Sequence, residues 1–373
     1  MKKPRIAIVG GGLAGLTAAI HLASAGYLPV VFEKNTFPHH KVCGEYLSLE
    51  IFPYLNSLEI DLNSLNPVLI DTLNYSTPSG KLIKTALPLG GVGLSRYALD
   101  QFFSIMAKER GVSIIHETVT DISFESNEHI ITTESDRFAA DIVLGAYGKR
   151  SLIDKKLNRK FIEKKTDWLA VKAHYELVDY PEEVVSLHNF KGGYCGLSKT
   201  ETGAINVCYL ATYKSFKNYK NPQVYQEEVL RKNIHLKSFF SQAKPLFEKD
   251  ITIAQISFDN KSHIEDHILM LGDAAALIHP LCGNGMAMAI HSGKLAAELI
   301  VEHLKKEQYN RLKLEKIYLR EWKKIFSGRI RTGRVLQKIL LNSGLAEASQ
   351  TAIKLFPGVL PQIIKRTHGT TVI

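Results

Sequence analysis

The run Arg5-Ile6-Ala7-Ile8-Val9-Gly10-Gly11-Gly12-Leu13-Ala14-Gly15-Leu16 decides the fold. Arg5 to Val9 is a short β-branched stretch, Gly10 to Gly15 reads GxGxxG, Leu16 to Ala25 is helix-forming, and Leu28 to Phe32 is a second apolar run ending at Glu33. That is the pattern of a strand, a glycine turn, a helix and a second strand. The first spaced glycine makes the tight turn, the second lets a pyrophosphate approach the backbone, and the third allows the helix to pack close to the strand. The helix N-terminus then presents unpaired amides and the positive end of its dipole to the phosphates. Gly10, Gly12, Leu13, Ala14 and Gly15 are therefore expected on the phosphates of a dinucleotide. Glu33, followed by Lys34, is expected at the hydroxyls of the adenosine ribose, where an acid disfavours a 2′-phosphate.

Outward from this stretch, 373 residues with 45% hydrophobic and 23% charged side chains exceed one compact core and exclude a disordered chain, so two domains are expected. The four cysteines, Cys43, Cys195, Cys208 and Cys282, form no CxxC pair. Neither a disulfide framework nor a zinc ribbon is suggested, and a cytoplasmic location fits. The formal charge of +10 is matched by residues 301–373 alone, with 15 Lys/Arg against 5 Asp/Glu. No nucleic-acid-binding signature accompanies it, so no nucleic-acid partner is expected. The excess reads as a basic C-terminal appendage. Within it, Leu314, Tyr318, Trp322, Ile325 and Phe326 recur at helical spacing while Lys313, Lys316, Arg320, Lys323 and Lys324 point elsewhere. Such a helix either packs on the body with a solvated charged face or makes a peripheral contact with an anionic membrane or a carrier protein. No stretch of ~20 apolar residues could span a bilayer.

The second decisive stretch is remote from the first. His267 to Leu271 is an apolar strand ending on Gly272-Asp273, followed by Pro280 and by Gly283-Asn284-Gly285-Met286 at the start of a long Ala-rich helix. An aspartate at such a strand end can hold a ribitol hydroxyl, and the amides of a glycine turn can face the pyrimidine end of a flavin and stabilise the charge of its reduced form.

GxGxxG with Glu33, the helix start Leu94-Ser95-Arg96, and GD-x6-P-x2-GNG together resemble the FAD-dependent oxidoreductases of the p-hydroxybenzoate-hydroxylase fold, which include aromatic-ring monooxygenases and the geranylgeranyl-reductase group. The resemblance covers residues 1 to about 300. It implies FAD as cofactor, NAD(P)H as electron donor, and an α/β architecture of a Rossmann-like FAD-binding domain with an inserted mainly antiparallel β-sheet substrate domain, to which the helical spacing of the basic segment adds a helical C-terminal extension. The expected division is 1–66, 94–158 and 260–305 for the FAD domain, 67–93 and 159–259 for the substrate domain, and 306–373 for the basic helical region. Residue by residue, it places Gly10, Gly12, Gly15 and Glu33 on the ADP half, Arg96 near the cofactor, Asp273 after Gly272 on the ribitol, and Gly283, Asn284, Gly285 and Met286 beside the isoalloxazine. One departure stands out. Where the family shows an Asp-Gly motif after Ile142-Val143-Leu144, this chain reads Gly145-Ala146-Tyr147-Gly148, followed by Lys149 and Arg150, which could meet a phosphate or form a solvated loop.

Three segments carry candidate chemistry. His39-His40-Lys41-Val42-Cys43-Gly44-Glu45-Tyr46 is similar to a Lys-x-Cys-Gly loop that reaches the flavin in the geranylgeranyl-reductase group, which implies a functional Cys43 and Glu45. Gly192-Gly193-Tyr194-Cys195-Gly196 is similar to an aromatic-glycine segment lining the substrate cavity there, which points to Tyr194, although an ordinary hairpin loop also fits. Glu45, Tyr46, Tyr194 and His279 are the available proton donors. No carboxylate stands at ligand spacing from the His39-His40 pair, so no metal is expected. The substrate is expected to be a small apolar or aromatic molecule. The sequence leans slightly to a monooxygenase, with a double-bond reductase as the alternative and a flavin-binding protein without turnover as the third reading. Halogenation is disfavoured, because the tryptophan-rich signature of flavin halogenases is absent and only Trp168 and Trp322 occur.

Overall fold

The computed structural model describes residues 3–164, 166–306, 309–356 and 358–373. Ile6–Val9 (β1) forms an unbroken buried run, as a strand covered on both faces should. The chain turns through Gly10–Gly12 into helix α1 (Leu13–Ser24) and returns as β2 (Val30–Phe32). A six-stranded sheet grows around β1 in the order 264–265, 268–270, 142–145, β1, β2, 113–115. Its strands run parallel except for the 264–265 edge.

A second sheet of nine strands supplies the other domain: Val68–Ser76, Leu82–Gly93, Trp168–Glu176, Val184–Phe190, Gly193–Lys199, Ile205–Thr212 and Ile251–Ile256, with short edges at 46–48 and 244–245. It is antiparallel throughout except where Val184–His188 runs beside Thr72–Ser76. A three-stranded meander, 119–125, 128–133 and 137–140, completes the β-structure.

One boundary differs from expectation. Tyr46–Ser48, placed by sequence in the FAD segment 1–66, is an edge strand of the large sheet and pairs with Gly91–Gly93 at the end of the strand that begins at Leu82.

Arg96–Glu109 (α2) and Gly285–Lys306 (α3) pack around α1. The glycine of α3 at position 293 makes this possible, because a side chain there would overlap the Ala14 carbonyl. The C-terminal region is not an appendage. Arg311–Leu341 (α4) lays Leu314, Tyr318, Trp322 and Phe326, spaced four residues apart, against the parallel-sheet domain, and all four are buried in its core. The Tyr318 hydroxyl donates to the Met270 carbonyl at 2.5 Å, and the Trp322 ring stacks on His263 at 3.5 Å. Two helices follow, α5 (Ser343–Leu355) and α6 (Val359–His368), and the chain ends with Val372 inserted in the same core.

Candidate active site

The glycine turn has the tightness that its sequence demands. A side chain at Gly10, whose φ is 113°, would overlap the Ala146 carbonyl, and one at Gly15 would overlap the Gly10 carbonyl. At Gly12, by contrast, the nearest atom to an added Cβ is an Arg96 nitrogen at 3.8 Å, so the backbone is bare on that side. Gly12 caps α1 without any side-chain hydrogen bond, which leaves the amides at Leu13, Ala14 and Gly15 without intrahelical partners. Glu33 is buried, and it braces the turn by accepting from the Gly11 amide at 2.8 Å and the Asn35 amide at 3.1 Å. Each carboxylate oxygen can still accept another bond. Lys34 is exposed.

Arg96 begins α2 and lies between the Gly12 turn and the Cys43 loop, reaching the Cys43 sulfur. Asp100, one helical turn on, grips it through two 2.8 Å bonds and also binds Lys41 at 2.8 Å. Burial alone would raise the Asp100 carboxyl, but the two cations outweigh it and hold the group ionised below its usual range.

The loop 41–45 is pinned by three strands of the large sheet and by the loop that follows strand 142–145. Lys172 donates to the Lys41 carbonyl, Lys149 to that of Val42, Asn206 to that of Cys43 and Ser198 to that of Gly44. Glu45 has a φ of 52°, a costly conformation for a residue with a side chain. Its buried carboxylate accepts from the Arg96 amide at 2.7 Å, from His174 Nε2 at 2.7 Å and from the Lys172 ammonium. Burial would raise this carboxyl, yet the His174 hydrogen bond and the Lys172 charge together keep it below its ordinary value. Glu45 is therefore an ionised anchor and not the proton donor that its sequence position suggested. Tertiary folding also brings ligand atoms of His40, Glu45 and His174 within 4.8 Å of one another, a proximity that sequence spacing did not reveal. The Lys172 ammonium already balances the carboxylate there and would repel a cation.

Across the cleft, Asp273 is half-buried and its carboxylate makes no hydrogen bond among the described residues. Its backbone carbonyl, like that of Lys149, accepts from Lys261 at 2.7 Å, and burial lowers this lysine to about 8. Gly272 has a φ of 54° and gives its amide to Ser292. The Gly283–Met286 turn opens α3, and Gly285, like Gly44 and Gly148, has free space where a side chain would stand. The Asn284 side chain points away from that space. Its amide donates to Glu50 at 3.3 Å and to the carbonyls of Thr367 and His368 at 3.1 Å. Arg329 binds the same Glu50 oxygen at 2.8 Å.

Tyr147 does not replace the missing aspartate. Its hydroxyl turns into the domain onto Met270 Sδ at 3.2 Å. Lys149 and Arg150 serve backbone carbonyls of neighbouring loops. Tyr194 lies within a strand and not in a hairpin loop, buried with Leu210, Leu277 and Leu281. Its ring is 5.9 Å from that of His279, which also packs on Phe258 and Trp168. Burial lowers His279 to about 3, and its Nε2 has no partner among the described residues.

The residues present fit FAD. Bare glycine backbone at 12, 44 and 285, unpaired amides at α1, a guanidinium between two of these segments and an unbonded aspartate are the features that a flavin dinucleotide requires. Residues 8–39 match the model of an NAD(P)-binding Rossmann-like domain. Digeranylgeranylglycerophospholipid reductase 1 of Methanosphaera stadtmanae is 25% identical over 332 residues, covering 85% of this chain and 80% of that protein. The structure superposes on the flavin-dependent brominase Bmp2 with a TM-score of 0.77, at 16% identity and with 97% and 93% of the two chains covered. It superposes on a geranylgeranyl bacteriochlorophyll reductase-like protein of Thermoplasma acidophilum with a TM-score of 0.73, at 22% identity and with 91% and 88% covered. Along most of its length the chain is thus similar to FAD-dependent oxidoreductases and shares their fold. Lys172, His174, Asp100, Glu50 and Arg329 support the candidate site and were not singled out by the sequence. Of these, Asp100 alone carries a local signal, its i+4 spacing from Arg96.

Proposed function

We propose that this oxidoreductase reduces a carbon–carbon double bond in an apolar substrate, with NAD(P)H as the donor that recharges it. The placement of Cys43 carries this reading. Its thiol lies beside the Arg96 guanidinium, accepts the Glu45 amide at 3.5 Å, and precedes a glycine with open space on its free side. The other groups that could donate a proton are poorly suited. Glu45 is ionised and engaged, burial pushes the Tyr46 and Tyr194 hydroxyls far above their ordinary range, and burial keeps His279 neutral.

FAD, when bound, supplies hydride transfer. The chain's own residues do the rest. Gly12 to Gly15 and Glu33 would hold the ADP half, Arg96 and Asp273 would orient the middle, and the Asn284–Met286 amides would favour negative charge at the flavin's far end, the Gly283 amide being bonded to the Pro280 carbonyl. Val42, Tyr194, Leu277 and Leu281 provide apolar walls that exclude water, and Cys43 Sγ holds the proton for the substrate carbon. The sequence resemblance of its loop to the geranylgeranyl-reductase group and the similarity to the Methanosphaera enzyme support the assignment.

The test is anaerobic titration of the yellow protein with NADH and NADPH, followed by addition of a polyprenyl alkene. Bleaching by the donor should survive Cys43→Ala, while reduced product should fall by about 100-fold. A second reading, oxygenation, is favoured by the dry aromatic packing of Trp168, Tyr194 and Phe258 around His279. It predicts an oxygenated product that Cys43→Ala leaves unchanged. Absence of bleaching by either donor would indicate a flavin-binding protein without turnover.

A further inference from the structure

Helix α5 is seated with its polar side inward. Gln350, 1% exposed, donates to the Lys81 carbonyl at 2.7 Å, and Glu347 binds Ser79 and Lys81. Ala346 completes the inner face. The outer face carries Leu345, Leu355 and Phe356, which are 51%, 71% and 66% exposed. At 100° per residue these lie within an arc of roughly 100°, joined by the exposed Ala348 and Ala352. Val359, 44% exposed, extends the apolar surface onto α6. Ordinary amphipathic packing is thus inverted, and an apolar arc of this size facing water marks a surface that another phase or molecule covers.

The surrounding charge selects the occupant. Residues 327–373 carry seven Lys/Arg and a single Glu. Lys338 and, on α6, Lys365 and Arg366 are exposed. A second copy of the chain would bring the same cationic rim against itself, which disfavours self-association. An anionic lipid surface meets both features at once, taking the apolar arc into its interface and the cations onto its headgroups.

We infer that the outer face of α5, with the start of α6, docks this protein on an anionic membrane surface. The basic stripe of α4, which the sequence offered for that role, is the back of a helix whose apolar side is spent on the core. The docking element also reaches the cofactor turn. The inner side of α6 presents the Thr367 and His368 carbonyls to Asn284, and Lys365 and His368 line a small pocket with Tyr46 and Leu87–Gly90. A lipid-dissolved substrate would thus meet the protein on the side that holds the flavin turn. This inference goes beyond the reductase reading, and its test needs no turnover.

Full-length, flavin-loaded protein should be co-sedimented with vesicles of phosphatidylcholine alone and of phosphatidylcholine with about 30% phosphatidylglycerol, at low salt and at about 0.5 M NaCl. Binding at least about tenfold tighter to the anionic vesicles, weakened by salt, is expected. The double variant Leu355→Ser/Phe356→Ser should lose about tenfold in vesicle affinity while keeping its flavin absorbance and melting temperature. Should that variant lose flavin or misfold, Arg366→Glu, which keeps the apolar arc intact, must lower anionic-vesicle binding alone. Equal partitioning to both vesicles, no binding at low salt, or binding unchanged in the variants would overturn the inference. So would a dimer in light scattering that the double variant dissolves, which would assign the arc to a second copy, or capture of an acidic carrier protein with no vesicle binding.

Discussion

The two glycine turns that frame the proposed flavin site are built on opposite plans. Gly10–Gly15 is held by its immediate surroundings: the Ala146 carbonyl above, its own strand and helix on either side, and Glu33 at 2.8 Å from the Gly11 amide. Gly283–Met286 is held from a distance. Asn284 ties it to Thr367 and His368 at the end of the chain, and Glu50 links that contact to Arg329 and, through its carbonyl, to the Val372 amide at 2.7 Å. The first turn can be recognised wherever its sequence occurs. The second is shaped only once the last fifteen residues have docked.

The largest expected effect comes from breaking the local turn. Gly15→Val places carbon atoms where the Gly10 carbonyl stands, so the purified variant should be colourless or insoluble, as read by flavin absorbance per mole of protein. Next is the remote clamp. Arg329→Met strands the buried Glu50 carboxylate, and chemical denaturation should register a loss of about 3–5 kcal/mol. If this variant loses less than about 1 kcal/mol, the distant turn does not depend on the tail. Asn284→Ala removes an amide NH2 whose two hydrogens are shared among Glu50 and the Thr367 and His368 carbonyls, but no charge, so about 1–3 kcal/mol and a several-fold weaker FAD dissociation constant are expected.

A pH titration sharpens the same contrast. Burial lowers His368, against the flavin turn, to about 4 and His279 to about 3. Both are neutral in the fold and ordinary when unfolded, so their share of stability is fully present above about pH 6.5 and is lost as pH falls toward the folded values. His368→Gln should flatten part of that acid limb in melting curves, and unchanged curves would remove His368 from the account. The smallest effect belongs to Tyr147→Phe, which deletes one hydroxyl–sulfur contact and should cost less than about 1 kcal/mol without altering NAD(P)H use.

Much of this was legible in one dimension. The strand-turn-helix-strand stretch and the order of the two flavin motifs follow from local periodicity and glycine spacing. Tyr46–Ser48 could not be assigned in the same way, because three residues following a loop become a strand only when Gly91–Gly93 offers them an edge. Glu45 was visible as a residue but not as an ion. Its partners Lys172 and His174 are 127 and 129 positions away, and only their approach decides which side of its pKa the carboxyl occupies. Tyr194 was legible as an aromatic near the substrate side, whereas its burial beside His279 depends on strand register.

By itself, the sequence determined the dinucleotide turn, the class of fold and the presence of a basic C-terminus, since these depend on backbone sterics and on patterns repeated within a few residues. The tertiary structure decided that Glu45 is an anchor, that Tyr147 faces inward, that the C-terminus closes the flavin turn, and that α5 turns its apolar face outward. Each of these depends on charge neutralisation or burial by groups far apart in the chain, and such long-range neighbours exist only after folding.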